Sequence, residues 1–282
     1  VVGKRVLNKE LILQVLREKY ESEGGEQIAK DFEVPWGTVR SWASLLGLQS
    51  KEGSKRQARA RSRNSTSVNT GYFQGPWTPE MAYVVGYIYA DGCNNEKGKS
   101  QAKGYRSLDF KCTEKDKEVI ESIKKILDSK HKISNLPERT NITSITKRAV
   151  SLQVSNTYLA KSLEERFGVV PRKSQIDVSF PLLPCTYEEH FVRGYMDGDG
   201  CCREKLLGLY GSKNFITGIR DLVCSHVQVR KPPVLKASSI WKVQWQARGD
   251  IKNLYHWLYP IGEYPFLLRK REALLCYLEK QP

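Results

Sequence analysis

The chain has 282 residues, 40% of them hydrophobic and 27% charged, which excludes a wholly disordered, collagen-like or membrane-embedded protein. Lysine and arginine number 46 against 31 acidic residues, a formal net charge of +15. A polyanion is the simplest partner for that excess, because each cation docked on a phosphate releases condensed counterions; an anionic membrane surface or plain solubility is the alternative. No apolar run approaches the ~18–20 residues of a membrane span, and the first residues lack a signal-peptide core, so no membrane partner is expected.

The seven cysteines (Cys93, Cys112, Cys185, Cys201, Cys202, Cys224 and Cys276) include no C-x-x-C pair, and the four histidines are scattered. A zinc site needs closely spaced ligand pairs, so none is expected. The odd count without framework spacing argues against a disulfide scaffold and for a reducing, intracellular compartment. The chain starts with neither Cys nor Ser and ends without a His-Asn pair, so self-splicing is not expected.

Residues 8 to 22 read as an amphipathic helix, with Asn8 as its cap and Leu11, Ile12, Val15 and Leu16 on one face. From Gln27 to Trp42, the apolar positions Ile28, Ala29, Val34, Val39 and Trp42 suit two short helices crossing over a tight turn. This segment resembles the helix-turn-helix of resolvase-like and homeodomain-like domains, although Glu33 stands where that pattern prefers Gly. The resemblance puts Trp36, Gly37, Arg40 and Ser41 against DNA; the alternative is a small three-helix lid with Trp36 and Trp42 in its core. Residues 51 to 75 then crowd Lys51, Lys55, Arg56, Arg59, Arg61 and Arg63 ahead of Asn, Ser, Thr and Gly, as a basic linker does.

An internal repeat follows. Thr78 to Cys93 aligns without gaps on Thr186 to Cys201, 108 residues later, with eight of sixteen positions identical: Thr, Glu, Val, Gly, Tyr, Asp, Gly and Cys. Each copy opens on a helix cap, Thr78 before Pro79 and Thr186 with Glu189 as a capping box. Gly86 with Ala90, and Gly194 with Gly198, form small-xxx-small faces that let two helices approach backbone to backbone. Each helix ends at Asp-Gly, where Gly92 or Gly200 can take a left-handed stop conformation. Packed through those small residues, the helices bring Asp91 and Asp199 out side by side. Carboxylates there oppose the helix dipole and repel each other, a conflict that a divalent cation resolves. The expected ligands are Asp91, Asp199 and the backbone of Ala90 and Gly198, holding Mg²⁺ that activates water and stabilises a leaving oxygen. The alternative is a pair of exposed helix-terminal aspartates.

The segments Val84 to Gly92 and Val192 to Gly200 resemble the two motifs of a single-chain LAGLIDADG homing endonuclease, over residues 76 to 282. The resemblance implies an α+β fold: two pseudo-twofold-related αββαββα units with saddle-shaped antiparallel sheets, preceded by the small all-α helix-turn-helix domain. The implied division is 1–50, linker 51–75, first unit 76–182 and second unit 183–282. Tyr89 departs from the motif, replacing its usual inner acidic residue. Gly168 to Ser174 and Pro265 to Arg271 resemble the basic segments that the family places near each cleavage centre. They make Lys173 and Lys270 the candidate catalytic lysines, with Arg172, Arg269 and Arg271 competing for the role. Glu114 and Lys213 match, more loosely, a position holding solvent near the metal.

Strict alternation from Lys242 to Arg248 sets Lys242, Gln244, Gln246 and Arg248 on one strand face and Val243, Trp245 and Ala247 on the other. Ser151, Gln153 and Ser155, alternating with Val150, Leu152 and Val154, form the equivalent strand of the first copy. These polar faces, with Lys111 beside Asp109 and with Tyr210, carry the side-chain types that read base edges; a solvated face is the alternative.

The expectation is a monomeric endonuclease cutting both strands of a long asymmetric duplex DNA target, leaving short 3′ overhangs, with the helix-turn-helix adding contacts outside it. Mg²⁺ is the implied cofactor, Mn²⁺ substitutes, and Ca²⁺ allows binding without cleavage. Two other functions fit the same resemblance: a non-catalytic transcription regulator, and an intron maturase whose partner is RNA. Retention of both aspartates and both lysines weighs against the regulator.

Overall fold

The computed structural model describes residues 9–46, 48, 68–96, 106–136, 140–141, 144–145, 148–171, 173, 180–203 and 205–280. The chain divides into two units, Val1–Thr66 and Ser67–Pro282. Asn8, Arg172 and the basic cluster from Lys51 to Arg63 lie outside the described residues.

In the first unit α1 (Lys9–Glu23), α2 (Gly25–Asp31) and α3 (Trp36–Leu45) enclose Ile12, Leu16, Tyr20, Ile28, Ala29, Val34, Val39 and Ala43. The buried stripe of α1 runs through Ile12, Leu16 and Tyr20 at i, i+4, i+8 spacing, so Leu11 falls off it and is 48% exposed, contrary to the sequence expectation. Between α2 and α3 Glu33 takes φ 52°, the left-handed region where glycine costs least. The turn therefore has the conformation that a glycine would serve, held by Val34 N–H donating to Ala29 O at 2.9 Å.

The second unit repeats one topology twice. Its first half runs α4 (Pro79–Ala90), β1 (Cys93–Glu96), β2 (Arg106–Thr113), α5 (Lys117–Ile126), β3 (Ile133–Leu136), a two-residue ladder β4 (Thr140–Asn141) with β5 (Ser144–Ile145), β6 (Ala149–Val154) and α6 (Thr157–Phe167). Its second half runs α7 (Glu188–Asp199), β7 (Cys201–Arg203), β8 (Leu206–Gly211), α8 (Lys213–His226), β9 (Leu235–Ala237), β10 (Ile240–Trp245) and α9 (Arg248–Leu258), and α10 (Leu268–Glu279) closes the chain. The main sheets have orders β1-β2-β6-β3 and β7-β8-β10-β9, with every pair antiparallel. Setting the short ladder aside, both halves are αββαββα, the α+β architecture that the resemblance implies.

One face of each sheet is apolar and covered by helices. Leu108, Phe110, Val150, Leu152 and Val154 are buried with Val119, Ile120 and Ile123 of α5 and Leu159 and Leu163 of α6. Leu207, Leu209, Val243 and Trp245 are buried with Phe215, Ile216 and Ile219 of α8 and Ile251 and Leu254 of α9. The end of the expected linker belongs to this core, because Val68 and Phe73 are buried in it and residues 72–74 form a 3₁₀ turn. Among the described residues no helix is long and apolar enough to cross a membrane.

The motif helices α4 and α7 cross through their glycines. A Cβ on Gly86 would stand 2.9 Å from the carbonyl carbon of Phe191, and one on Gly194 2.9 Å from that of Tyr83. The reciprocity is that of an isologous contact between two related halves. Thr78 caps α4 as expected, accepting from Met81 N–H at 3.1 Å, a contribution of about 1 kcal/mol. The capping box at Thr186 does not form: residues 185–187 make a 3₁₀ turn, and α7 starts one residue later without a side-chain cap. Glu189 instead pairs with His190, and Glu188 with His226.

Candidate active site

Asp91 is the residue that ends α4, and Asp199 is the last residue of α7. The small residues bring the two ends together: a Cβ on Gly198 would lie 3.5 Å from the Cβ of Asp91. Both carboxylates face solvent, yet desolvation by the surrounding protein raises both pKa values. Asp199 is pushed up to about 6, by burial first and by the charge of Asp91 second. The repulsion expected from the sequence is thus present.

Neither glycine after these aspartates is left-handed; Gly200 has φ −83°. What excludes a side chain is crowding, since a Cβ on Gly92 would stand 2.6 Å from Ile88 Cα and one on Gly200 2.8 Å from Met196 Cα. The chain folds back over the last helical turn without reversing its hand.

The helix ends are capped instead by the two candidate lysines. Lys173 Nζ donates to the carbonyls of Tyr89 (2.7 Å) and Ala90 (2.8 Å). Lys270 Nζ donates to those of Met196 (2.6 Å), Asp197 (2.8 Å) and Gly198 (3.2 Å). Each places a cation on the negative end of a helix dipole and satisfies carbonyls of the last turn; of these, Met196 O also accepts from Gly200 N–H at 2.9 Å. Burial lowers both lysine pKa values. The electrostatics cross over: of the two lysines, Lys270 acts more strongly on Asp91, and Lys173 on Asp199. Each lysine caps its own helix and balances the carboxylate of the other. The carbonyls of Ala90 and Gly198 each accept a lysine proton, and a carbonyl oxygen retains a second lone pair for a cation.

The inner motif positions differ between the halves. Asp197 is buried, accepts from Tyr83 Oη and Leu267 N–H at 2.8 Å each, and is raised to about 6, chiefly by burial. At the matching position Tyr89 donates its hydroxyl to Phe167 O and stacks on Phe215. Tyrosine thus keeps a tether from the motif helix to the end of α6 without a charge.

Two expected solvent-holding residues do not join this cluster through any described hydrogen bond or ion pair. Glu114 is exposed, and Lys213 Nζ lies 4.9 Å over the Trp241 ring. Arg269, a competitor of Lys270, is committed to Asp116. Sequence reasoning missed Asp116, and also Arg193, which is fully buried while donating to the carbonyls of Pro265 and Leu258 and to His190 Nδ1.

On the sheets, the expected polar faces form with shorter limits. Lys111 pairs with Ser151 in register, Asp109 with Gln153, and Lys242 with Tyr210. Gln244 Nε2 donates to Tyr210 Oη at 3.1 Å. Asp109 accepts from Asn95 Nδ2 at 2.6 Å and Ser107 Oγ at 3.0 Å. Ser155 lies one residue past β6, its N–H on His131 Nε2, and Gln246 lies one residue past β10. Arg248 does not belong to the strand: it opens α9, and its guanidinium donates to the carbonyls of Leu278 and Lys280, away from any reading face. In the first unit Trp36, Gly37, Arg40 and Ser41 are exposed on α3, while Trp42 packs on the core.

A pH experiment tests the carboxylate pair. The folded pKa of Asp199 lies above its unfolded value, so the folded chain binds the proton more tightly and the ionised carboxylate costs stability above about pH 6. Asp199→Asn should therefore be more stable than the wild type in metal-free buffer above that pH, and the gain should vanish as the wild-type carboxyl protonates. Denaturation midpoints across pH 4 to 8 check this; a difference independent of pH would show that Asp199 is not under charge strain.

No family model matches the chain, and no curated protein matches it. Solved structures similar to it include the LAGLIDADG meganuclease I-AabMI bound to uncleaved DNA, 14% identical, covering 71% of this chain and 89% of that one with a TM-score of 0.46. I-DmoI in complex with DNA and Ca is 15% identical, covering 74% and 99% at a TM-score of 0.49. The homing endonuclease I-WcaI bound to its DNA recognition sequence is 15% identical, covering 69% and 88% at 0.48.

Proposed function

We propose that the protein is a divalent-metal-dependent, site-specific endonuclease that cuts both strands of a long asymmetric DNA duplex and leaves short 3′ overhangs. The observation that carries this reading is the placement of Asp91 and Asp199 at the joined ends of two helices, where their mutual repulsion serves neither packing nor capping. The donor set fits a hard cation: two carboxylates with the carbonyls of Ala90 and Gly198, all oxygen. Mg²⁺ held there, or Mn²⁺ in its place, would supply an acidified water and charge neutralisation at the leaving oxygen. The chain's own part is to hold the two carboxylates at a fixed spacing, brace the helix ends with Lys173 and Lys270, and present Lys111, Ser151, Gln153, Tyr210, Lys242 and Gln244 to base edges and phosphates.

The duplicated halves then form two DNA-reading units in one monomer, and the N-terminal unit, Val1–Thr66, adds contacts outside the target as a helix-turn-helix, with Arg40 and Ser41 on α3 and Trp36 at its start. A reducing intracellular compartment suits the seven unpaired cysteines.

The test is selection of bound duplexes from a randomised library, followed by incubation of the selected DNA with Mg²⁺. A defined double-strand break supports the reading; specific binding without hydrolysis supports the regulator, and preference for structured RNA the maturase. Binding should also be steeply salt-dependent: with about six to ten phosphate contacts, affinity should fall roughly 10³- to 10⁵-fold between 50 and 200 mM salt. A binding constant that hardly changes would remove nucleic acid as the partner.

A further inference from the structure

Four consecutive residues at the start of α10 each donate to a different acceptor. Leu267 N–H reaches Asp197 Oδ2 at 2.8 Å, and Leu268 N–H reaches Glu118 Oε1 at 2.9 Å. Arg269 grips Asp116 with two nitrogens, at 2.5 and 2.8 Å, and Lys270 holds the last carbonyls of α7. Asp116 and Glu118 belong to the first half, whereas Asp197 and the carbonyls belong to the second. The segment that carries Lys270 is therefore stretched across both halves.

Asp116 is buried and stands immediately before α5, yet its side chain does not cap that helix. Its oxygens go to Arg269 and to Thr113 Oγ1. Burial alone would raise its carboxyl, but these hydrogen bonds bring it below the usual range, so the pair stays charged at neutral pH. A two-pronged arginine–carboxylate pair fixes direction as well as distance. The matching position before α8 is Ser212, which caps its own helix by accepting from Phe215 N–H at 3.4 Å and carries no charge to pair. The two halves are thus unequal at this corner.

We propose that the Asp116–Arg269 pair is a positioning clamp that sets Lys270 against the end of α7, and that one of the two cleavage centres depends on it more than the other. The proposal rests on the endonuclease reading. Lys270 holds the carbonyls at the end of α7, which carries Asp199, whereas Lys173 braces the end of α4, so a slack clamp disturbs the end of α7 first.

The experiment follows each strand separately, with different labels, in single-turnover cleavage of the selected duplex. Asp116→Asn and Arg269→Gln should slow one strand by about tenfold or more while the other stays within about twofold, because small misplacements near reacting atoms cost rate steeply. Nicked duplex should accumulate, and affinity in Ca²⁺ should remain at the wild-type level. The double variant should be no worse than either single one, since all three break the same pair. Arg269→Lys keeps the charge but loses the fork and should show an intermediate strand bias. Asp221→Asn, which breaks the ion pairs of Asp221 with Arg220 and Lys231 elsewhere, should leave the strand ratio unchanged. Equal slowing of both strands, or no slowing of either, overturns the clamp alone. A wild type that cuts neither strand overturns the endonuclease reading and the clamp with it.

Discussion

Asp91→Asn and Asp199→Asn should each reduce double-strand cleavage by about 10²-fold or more, the scale expected when one electrostatic group of a reacting centre is removed. Asparagine keeps the volume of aspartate, and the packing of α4 on α7 runs through Gly86 and Gly194 rather than through the carboxylates, so the fold should persist. DNA binding should hold or tighten, because a negative charge near phosphate disappears. Some single variants should nick where the wild type makes a break, and Ca²⁺ in place of Mg²⁺ should likewise permit binding and suppress hydrolysis. The measurement is strand-resolved cleavage alongside binding in Ca²⁺. If both variants cut both strands at the wild-type rate, the metal assignment falls and the regulator or maturase reading takes over.

The site was legible in the sequence to the extent that it rests on short-range rules repeated twice. Small residues at Gly86, Ala90, Gly194 and Gly198 mean close helices, and an aspartate at each helix end then has one place to go. Strand faces could be read for the same reason, since alternation decides burial within β6 and β10. Strand limits could not: nothing in the alternation from Lys242 to Arg248 reveals that α9 begins at Arg248 and turns its guanidinium to the carbonyls at the end of α10. The lysines were found by resemblance, but their geometry depends on contacts 72 to 84 residues distant in sequence. Asp116 gave no signal, because its partner Arg269 is 153 residues away and a lone Asp before a helix reads as a cap. The glycines after the aspartates suggest left-handed stops in the sequence, whereas the structure requires them for crowding against Ile88 and Met196, which no local pattern reveals.

That distinction makes the glycines of the interface the sharpest test of the fold. Gly86→Ala and Gly194→Ala each add one methyl group to a helix, a change that by propensity alone should stabilise it. Here each methyl would press on the opposing backbone, 2.9 Å from the carbonyl carbon of Phe191 or of Tyr83. A flexible side chain could swing aside, but a helix backbone can yield only by moving the whole helix, and α4 is held at its two ends by Thr78 and Lys173 and α7 at its last turn by Lys270. The cost should be about 3 kcal/mol or more, the upper range for overpacking. Each variant should unfold at markedly lower denaturant or fail to accumulate as folded protein. Gly249→Ala supplies the opposite sign in the same unit: it lies in the first turn of α9, a Cβ there meets nothing within 4 Å, and the substitution should be neutral or gain up to about 0.5 kcal/mol. Because the interface also sets the spacing of Asp91 and Asp199, an alanine variant that still folds should have lost cleavage out of proportion to its stability. Wild-type midpoints and rates for Gly86→Ala and Gly194→Ala would mean that the two helices do not meet through these residues, and the paired carboxylates would lose their physical basis.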